Sequence, residues 1–296
     1  MLGSILGLAV GDALGAPFEF RRRTQIAFPL PAFALPWMGL PPGTWTDDTA
    51  MARNLWLSLI EHGGDLDLDD VLARHVAWLG TGPPDVGNQT LLALREAAAG
   101  TSEPAEALFE RRGPEVSAGN GSVMYCAPLG VVRANDPERL VEEAPALSRL
   151  THWDGRCQTA CLAVTLTVAA LVRGEAPDAA VLGSLAVVSD REGGEELEFL
   201  VGEAGRSRQI DGPDQGFCLF TAGVALQVAG EELGFDEGLR HVVGLGGDTD
   251  TNAAVAGALL GAVHGVGAIP ATWLERLAER DRIASEADRL AALLRS

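Results

Sequence analysis

Gly244-Leu245-Gly246-Gly247-Asp248-Thr249-Asp250-Thr251-Asn252 runs directly into the apolar segment Ala253–His264, and the meaning of this junction decides the fold class. It is not a dinucleotide fingerprint. A GxGxxG motif needs glycine where Thr249 stands and a strand-rich surrounding, and strand-like alternation is scarce throughout the chain. It is not an EF-hand either. Asp248-x-Asp250-x-Asn252 imitates the opening of such a loop, but Ala253 occupies the position that needs glycine and Leu259 the one that needs glutamate. A glycine loop, two acids with hydroxyls between them, and the start of a buried helix are what remain.

Outward from this junction the pattern is helical. Periodic apolar positions predict helices over Ile5–Leu14, Thr49–His62, Leu68–Trp78, Thr90–Ala99, Pro137–Leu150, Thr159–Arg173, Ala176–Val188, Glu195–Ala204, Gly216–Ala229, Phe235–Val243, Ala253–His264 and, with breaks, Pro270–Leu294. Gly7-x-x-x-Gly11-x-x-x-Gly15 gives the first helix a small-residue face for close approach to a neighbour. The Pro-rich segment Ala27–Gly43 is an irregular loop that leads straight to a second acid cluster, Thr46-Asp47-Asp48-Thr49.

Two acid clusters near opposite ends of one chain point to a shared site, and hence to one domain over residues 1–296. Carboxylates and hydroxyls offer only oxygen, which suits Mg²⁺, Mn²⁺ or Ca²⁺ better than zinc or copper. Neighbouring side chains on a helix diverge by roughly 100°, so Asp47 and Asp48 suit two adjacent ions better than one. Helix capping is the alternative, and it accounts for one acid per helix but not two.

Composition removes other chemistries. All 22 basic residues are arginine, so there is no P-loop lysine and no Schiff base. A net charge of −19 argues against general nucleic-acid binding and against anionic membranes. Cys126, Cys157, Cys161 and Cys218 form no CxxC pair and are expected as reduced core thiols. Ala253–Trp273 is apolar enough to raise a membrane span, but His264 and Pro270 interrupt it, so a buried helix is expected. Met1–Val10 lacks a basic leader, and a cytoplasmic monomer is the expectation. Gly119-Asn120-Gly121-Ser122, before the helix-like run Val123–Val132, is either a plain turn or a phosphate cradle. His152 is expected as a capping or hydrogen-bonding residue, and no Ser or Cys sits in a nucleophile motif.

Six collinear motifs carry a resemblance: Gly11-Asp12-Ala13-Leu14-Gly15-x-x-x-Glu19, Thr46-Asp47-Asp48, Asp85-Val86-Gly87-Asn88-Gln89-Thr90, Gly119-Asn120-Gly121-Ser122-Val123-Met124, Thr151-His152 and Gly246-Gly247-Asp248-Thr249-Asp250-Thr251. In order and spacing the chain resembles the ADP-ribosylglycohydrolases from about Gly3 to Gly265. The resemblance implies an all-α, compact single-domain fold of orthogonal helices and two divalent cations, Mg²⁺ or Mn²⁺, at the base of a cleft. On the matching positions it implies Thr46, Asp47, Asp48, Asp248, Asp250 and Thr251 as metal ligands, and Glu19 and Asp85 as catalytic acids. Gly119, Asn120, Gly121, Ser122, Met124 and His152 would contact the substrate, which is ADP-ribose carried on a protein or small molecule. Many active relatives have arginine after the methionine of the glycine loop, whereas here Tyr125 follows Met124, which bears on the leaving group. Alternatives within the family are a catalytically silent ADP-ribose-binding module and a hydrolase of another ribosyl compound.

Overall fold

The computed structural model describes residues 1–202, 205 and 208–295, and among them one helix follows another. In chain order these are α1 (Leu2–Gly15), α2 (Asp47–Glu61), α3 (Leu68–Leu79), α4 (Asn88–Ala98), α5 (Pro104–Arg112), α6 (Ala127–Val132), α7 (Leu140–Ser148) and α8 (Gly155–Val172). The second half continues with α9 (Pro177–Val188), α10 (Gly194–Val201), α11 (Cys218–Gly230), α12 (Phe235–Gly244), α13 (Thr249–His264), α14 (Ala271–Leu274) and α15 (Arg280–Ala292). Strand structure among the described residues is one antiparallel ladder, β1 (Arg21–Arg22) with β2 (Gly246–Gly247). The fold is all-α, as expected.

α1 and α13 are the axis of the molecule. A Cβ on Gly3, Gly7, Gly11 or Gly15 would fall inside Gly261 O, Gly257 O, Ala253 O or Thr249 O respectively, so the two helices run antiparallel with backbones touching at four successive points. This is the close approach that the glycine spacing predicts, and its consequence is positional. The C-terminal end of α1 is fixed against the N-terminal turn of α13, where Thr249 Oγ1 donates to Gly15 O at 2.9 Å. Both helices are buried on nearly every side within one continuous apolar core whose largest enclosed side chains include Trp56, Tyr125 and Phe235.

Boundaries shift where caps decide them. α2 begins at Asp47, two residues before the expected start, because Thr46 is the N-cap and its hydroxyl accepts from Asp48 N. α13 begins at Thr249, four residues early, yet the Asp248 side chain caps nothing. α5 was not expected: only Pro104, Ala105 and Leu108 of its nine residues are buried, too short a stripe to register as a period. The end of the helix expected over Glu195–Ala204 lies outside the described residues; α10 itself closes at Val201. The expected helix-like run from Val123 begins as turns and becomes α6 only at Ala127.

The apolar stretch after Ala253 is broken as expected: α13 ends at His264, and a short 3-10 turn separates it from α14. α8 is long and apolar enough to cross a membrane by length and composition, and 72% of it is buried inside the fold, as in a core helix. All four cysteines are free and buried.

Candidate active site

The two acid clusters meet. Asp47 and Asp48 occupy the first turn of α2, Asp250 and Thr251 the first turn of α13, and Thr251 Oγ1 lies 3.5 Å from Asp48 Oδ2. Glu19, just past α1 and its short 3-10 extension, joins them: one carboxylate oxygen each from Glu19, Asp248 and Asp250 lie within 4.8 Å of one another. Above these acids opens a cleft of about 380 Å³, whose lining includes Glu19, Phe20, Asp47, Asp85, Asp248, Asp250 and Thr251. Val86–Thr90, Gly119–Gly121, Met124 and His152 form the rest. Thr46 and Asp48 are buried beneath it.

A residue to which no role was assigned from sequence holds the floor together. Asp12, fully enclosed in α1, accepts from Thr46 N at 3.0 Å, from Thr49 N at 3.0 Å and from Thr49 Oγ1 at 2.5 Å. It thereby caps α2 from a different helix, a contact spanning 34 to 37 positions of sequence that no local pattern encodes. Burial raises the Asp12 carboxyl to about 6 against the lowering effect of those hydrogen bonds. A second buried relay orients Asp248. Asn120 Nδ2 donates to Asp248 Oδ2 at 2.9 Å and to Thr221 Oγ1 at 3.0 Å, and Thr221 Oγ1 donates to Asn252 Oδ1 at 2.7 Å.

The electrostatics are those of buried carboxylates packed against one another. Burial, with Asp85 and Asp248 adding repulsion, pushes Glu19 up to about 8, although a hydrogen bond from Trp37 of the Pro-rich loop pulls it down. Burial, then Asp85 and Asp12, pushes Asp47 up to about 8. Asp48 and Asp250 are raised well above the ordinary carboxylate range, in both cases chiefly by burial and then by neighbouring acids, and Asp85 is raised too. Among the described residues no arginine or histidine forms an ion pair with any of these acids. Asp48 Oδ1 is buried with no hydrogen-bond partner at all. Negative groups packed this way cost several kcal/mol unless a positive charge completes them. An all-oxygen donor set with an orphaned buried carboxylate oxygen fits a hard divalent cation.

The expected substrate-side residues divide. Gly119, Asn120, Gly121, Met124 and His152 line the cleft, but the Ser122 side chain is buried away from it, accepting from Ser148 Oγ at 3.0 Å and from Cys161 Sγ at 3.5 Å. Val123 N and Met124 N are spent on Asn120 O, so the loop closes as a turn instead of opening an α-helix. His152 packs under it. A Cβ on Gly121 would come within 2.7 Å of Thr90 Oγ1 and 2.8 Å of His152 Cε1, so that glycine lets the loop sit down on the histidine. His152 Nδ1 is 2.9 Å from Thr151 Oγ1, and burial drives the ring down to about 4, neutral at physiological pH. Tyr125 is fully buried, donates to Leu147 O at 3.2 Å and meets His75 edge-on at 5.0 Å. The departure at position 125 therefore falls on the core and not on the cleft.

Comparison with known proteins agrees with this geometry. The family model for ADP-ribosylglycohydrolase matches residues 1–296. The chain is 33% identical over 300 residues to the ADP-ribosyl-[dinitrogen reductase] glycohydrolase of Rhodospirillum rubrum, covering 99% of this chain and 95% of that one. It is 28% identical to the ADP-ribosylarginine hydrolase Tri1 of Serratia proteamaculans, covering 97% and 78%, and 26% identical to human ADP-ribosylhydrolase ARH3, covering 92% and 87%. A solved structure described as an ADP-ribosylglycohydrolase-related protein complex superposes with a TM-score of 0.82 at 34% identity, over 99% of this chain and 96% of that one. With its acid-floored cleft, its all-helical architecture and a match along its whole length, the chain belongs to the ADP-ribosylglycohydrolase family.

Proposed function

We propose that this protein is a divalent-metal-dependent hydrolase that removes ADP-ribose from an arginine side chain. The observation that carries the metal is the floor of the cleft, where Asp48 Oδ1 is buried without a partner among acids that, among the described residues, no arginine or histidine pairs with. Thr46, Asp47, Asp48, Asp248, Asp250 and Thr251 are the residues that would hold two Mg²⁺ or Mn²⁺ ions. When bound, such ions supply Lewis acidity towards ribose hydroxyls and water. The arginine acceptor is supported by the activity named for the Serratia relative and by the anionic cleft, which favours a cationic leaving group.

The chain's own residues do the rest. Breaking the bond between C1″ of the ribose and the guanidinium nitrogen builds positive charge on the ribose ring, so a carboxylate-lined cleft favours the transition state over the ground state. One water adds its oxygen to C1″ and one of its protons ends on the departing nitrogen. Glu19, beside the acid floor and partly enclosed, would take the proton of that water, and Asp85, which lines the same cleft, would accept from the ribose hydroxyls. The turn Gly119–Gly121, seated on His152, bounds the space for the diphosphate.

The fold is proposed to act as a single-domain monomer in the cytoplasm, a reduced setting that suits four unpaired buried thiols. The deciding experiment is ADP-ribose release from arginine-linked and serine-linked ADP-ribosylated substrates with Mg²⁺, Mn²⁺ or chelator. Metal-dependent release from the arginine linkage is the expected result. Release that persists in chelator would remove the metals. No release from either linkage, with ADP-ribose still bound, would leave a silent binding module, and with ADP-ribose unbound a different ribosyl substrate.

A further inference from the structure

Phe20 breaks two rules at once. It is a large apolar side chain left 62% exposed, and its backbone is left-handed at φ +59, a conformation that costs a bulky residue and that glycine would adopt freely. Neither feature is forced by packing: among the described residues no aromatic ring or arginine lies on the Phe20 ring, and the nearby Arg21 guanidinium turns back over Phe18 instead, 5.6 Å from that centroid. Yet the position is held firmly. Phe20 N donates to Gly247 O at 2.8 Å, and the next residue enters the ladder with Gly247, so Phe20 is pinned between Glu19 and the junction that carries Asp248. Strain kept in place beside a reactive cleft points to a function for the side chain.

We infer that Phe20 is the platform for the acceptor, stacking its ring on the planar guanidinium attached to C1″; this rests on the arginine linkage proposed above. Position fixes which part of the substrate it meets. Phe20 lines the cleft next to Glu19, whose carboxylate lies within 4.8 Å of Asp248 and Asp250, so it stands at the end where the glycosidic bond would be broken. A guanidinium is flat, weakly hydrated and cationic, and an aromatic face above anionic carboxylates suits all three properties. A serine acceptor presents no surface of that kind, so Phe20 is a specificity-determining residue.

The test compares wild type with Phe20→Ala, Phe20→Gly and Phe20→Tyr, reading KM and kcat on ADP-ribosylarginine, inhibition by free ADP-ribose, and Tm. Phe20→Ala and Phe20→Gly should raise KM about ten-fold with kcat largely kept, leave ADP-ribose inhibition unchanged, and leave Tm unchanged or higher, since glycine relieves the left-handed backbone. Phe20→Tyr should restore KM. An unchanged KM in Phe20→Ala, or an equal loss of ADP-ribose affinity, overturns the assignment, and a fall in Tm with a proportional loss of all functions makes the residue structural. Wild-type inactivity on ADP-ribosylarginine would instead overturn the acceptor proposed above, which separates the two failures.

Discussion

The two parts of α13 follow opposite rules. From Ala253 to Gly261 the helix is complete in itself: small residues meet α1 backbone to backbone, and nothing polar is left over. In its first turn, Asp250 and Thr251 face Asp48 and Glu19, and among the described residues no arginine or histidine pairs with these acids. The body of the helix spends its side-chain volume on rigidity; the first turn spends that rigidity on holding like charges together. A site of repelling acids needs an unyielding support, and the glycine seam directly behind it supplies one.

The largest effect should come from the acid side of this comparison. Asp250→Asn keeps the shape of the side chain and removes a charge that burial, Asp248, Glu19 and Asp48 all oppose. Turnover should fall by about 1,000-fold or more, ~4 kcal/mol, if Asp250 holds the proposed metal through that charge. The far-ultraviolet circular dichroism should not change, and the metal-free Tm should rise. Addition of Mn²⁺ should raise the Tm of wild type more than that of the variant. Normal turnover in Asp250→Asn would show that α13 does not differ along its length in the way its burial and charge indicate.

The seam should fail in the opposite manner. Gly7→Ala puts a methyl group into Gly257 O in the middle of the α1–α13 contact, remote from the acids. The helices must part, at a cost of about 3 kcal/mol in urea unfolding. Activity per folded molecule should drop as well, because the ends of α1 and α13 carry Asp12 and Asp250. A destabilised variant with wild-type kcat and metal affinity would mean that the site does not depend on the seam.

How much of this was visible in sequence follows from the range of each interaction. The seam and the bodies of most helices were legible because glycine spacing and apolar periods are local, whereas the starts of α2 and α13 moved by two and four residues. The acid clusters were legible as chemistry because their residue types allow so few ligands. Asp12 stood in a quoted motif without a role, since its partners Thr46 and Thr49 lie across a loop and its importance is tertiary. The ladder between Arg21–Arg22 and Gly246–Gly247 is two residues long and carries no alternation to detect. Tyr125 misled for a related reason: its neighbours Gly121 and Met124 line the cleft, but the turn that follows Asn120 sends this one side chain into the core. Sequence places a residue beside a motif, and only the backbone decides which way it faces.

The smallest expected effect tests that last point. Tyr125 rests on His75 of α3, a fully buried histidine whose Nδ1 is 3.2 Å from Asn54 Nδ2 and whose Nε2 has no partner. The amide donates to Nδ1, so Nε2 carries the proton of a neutral ring. Burial drives His75 from its ordinary 6.5 down to about 3. The unfolded chain therefore binds a proton between those values that the folded chain refuses, and stability is intact above pH 6.5 and declines as pH falls towards 3. Each pH unit in that window costs at most about 1.4 kcal/mol from this residue. Urea unfolding of wild type and His75→Gln at pH 7 and pH 5 should show the variant losing less on acidification, with hydrolase activity at pH 7 little changed. An identical pH slope would mean that His75 reaches water, and that the core beneath Tyr125 is more open than its packing indicates.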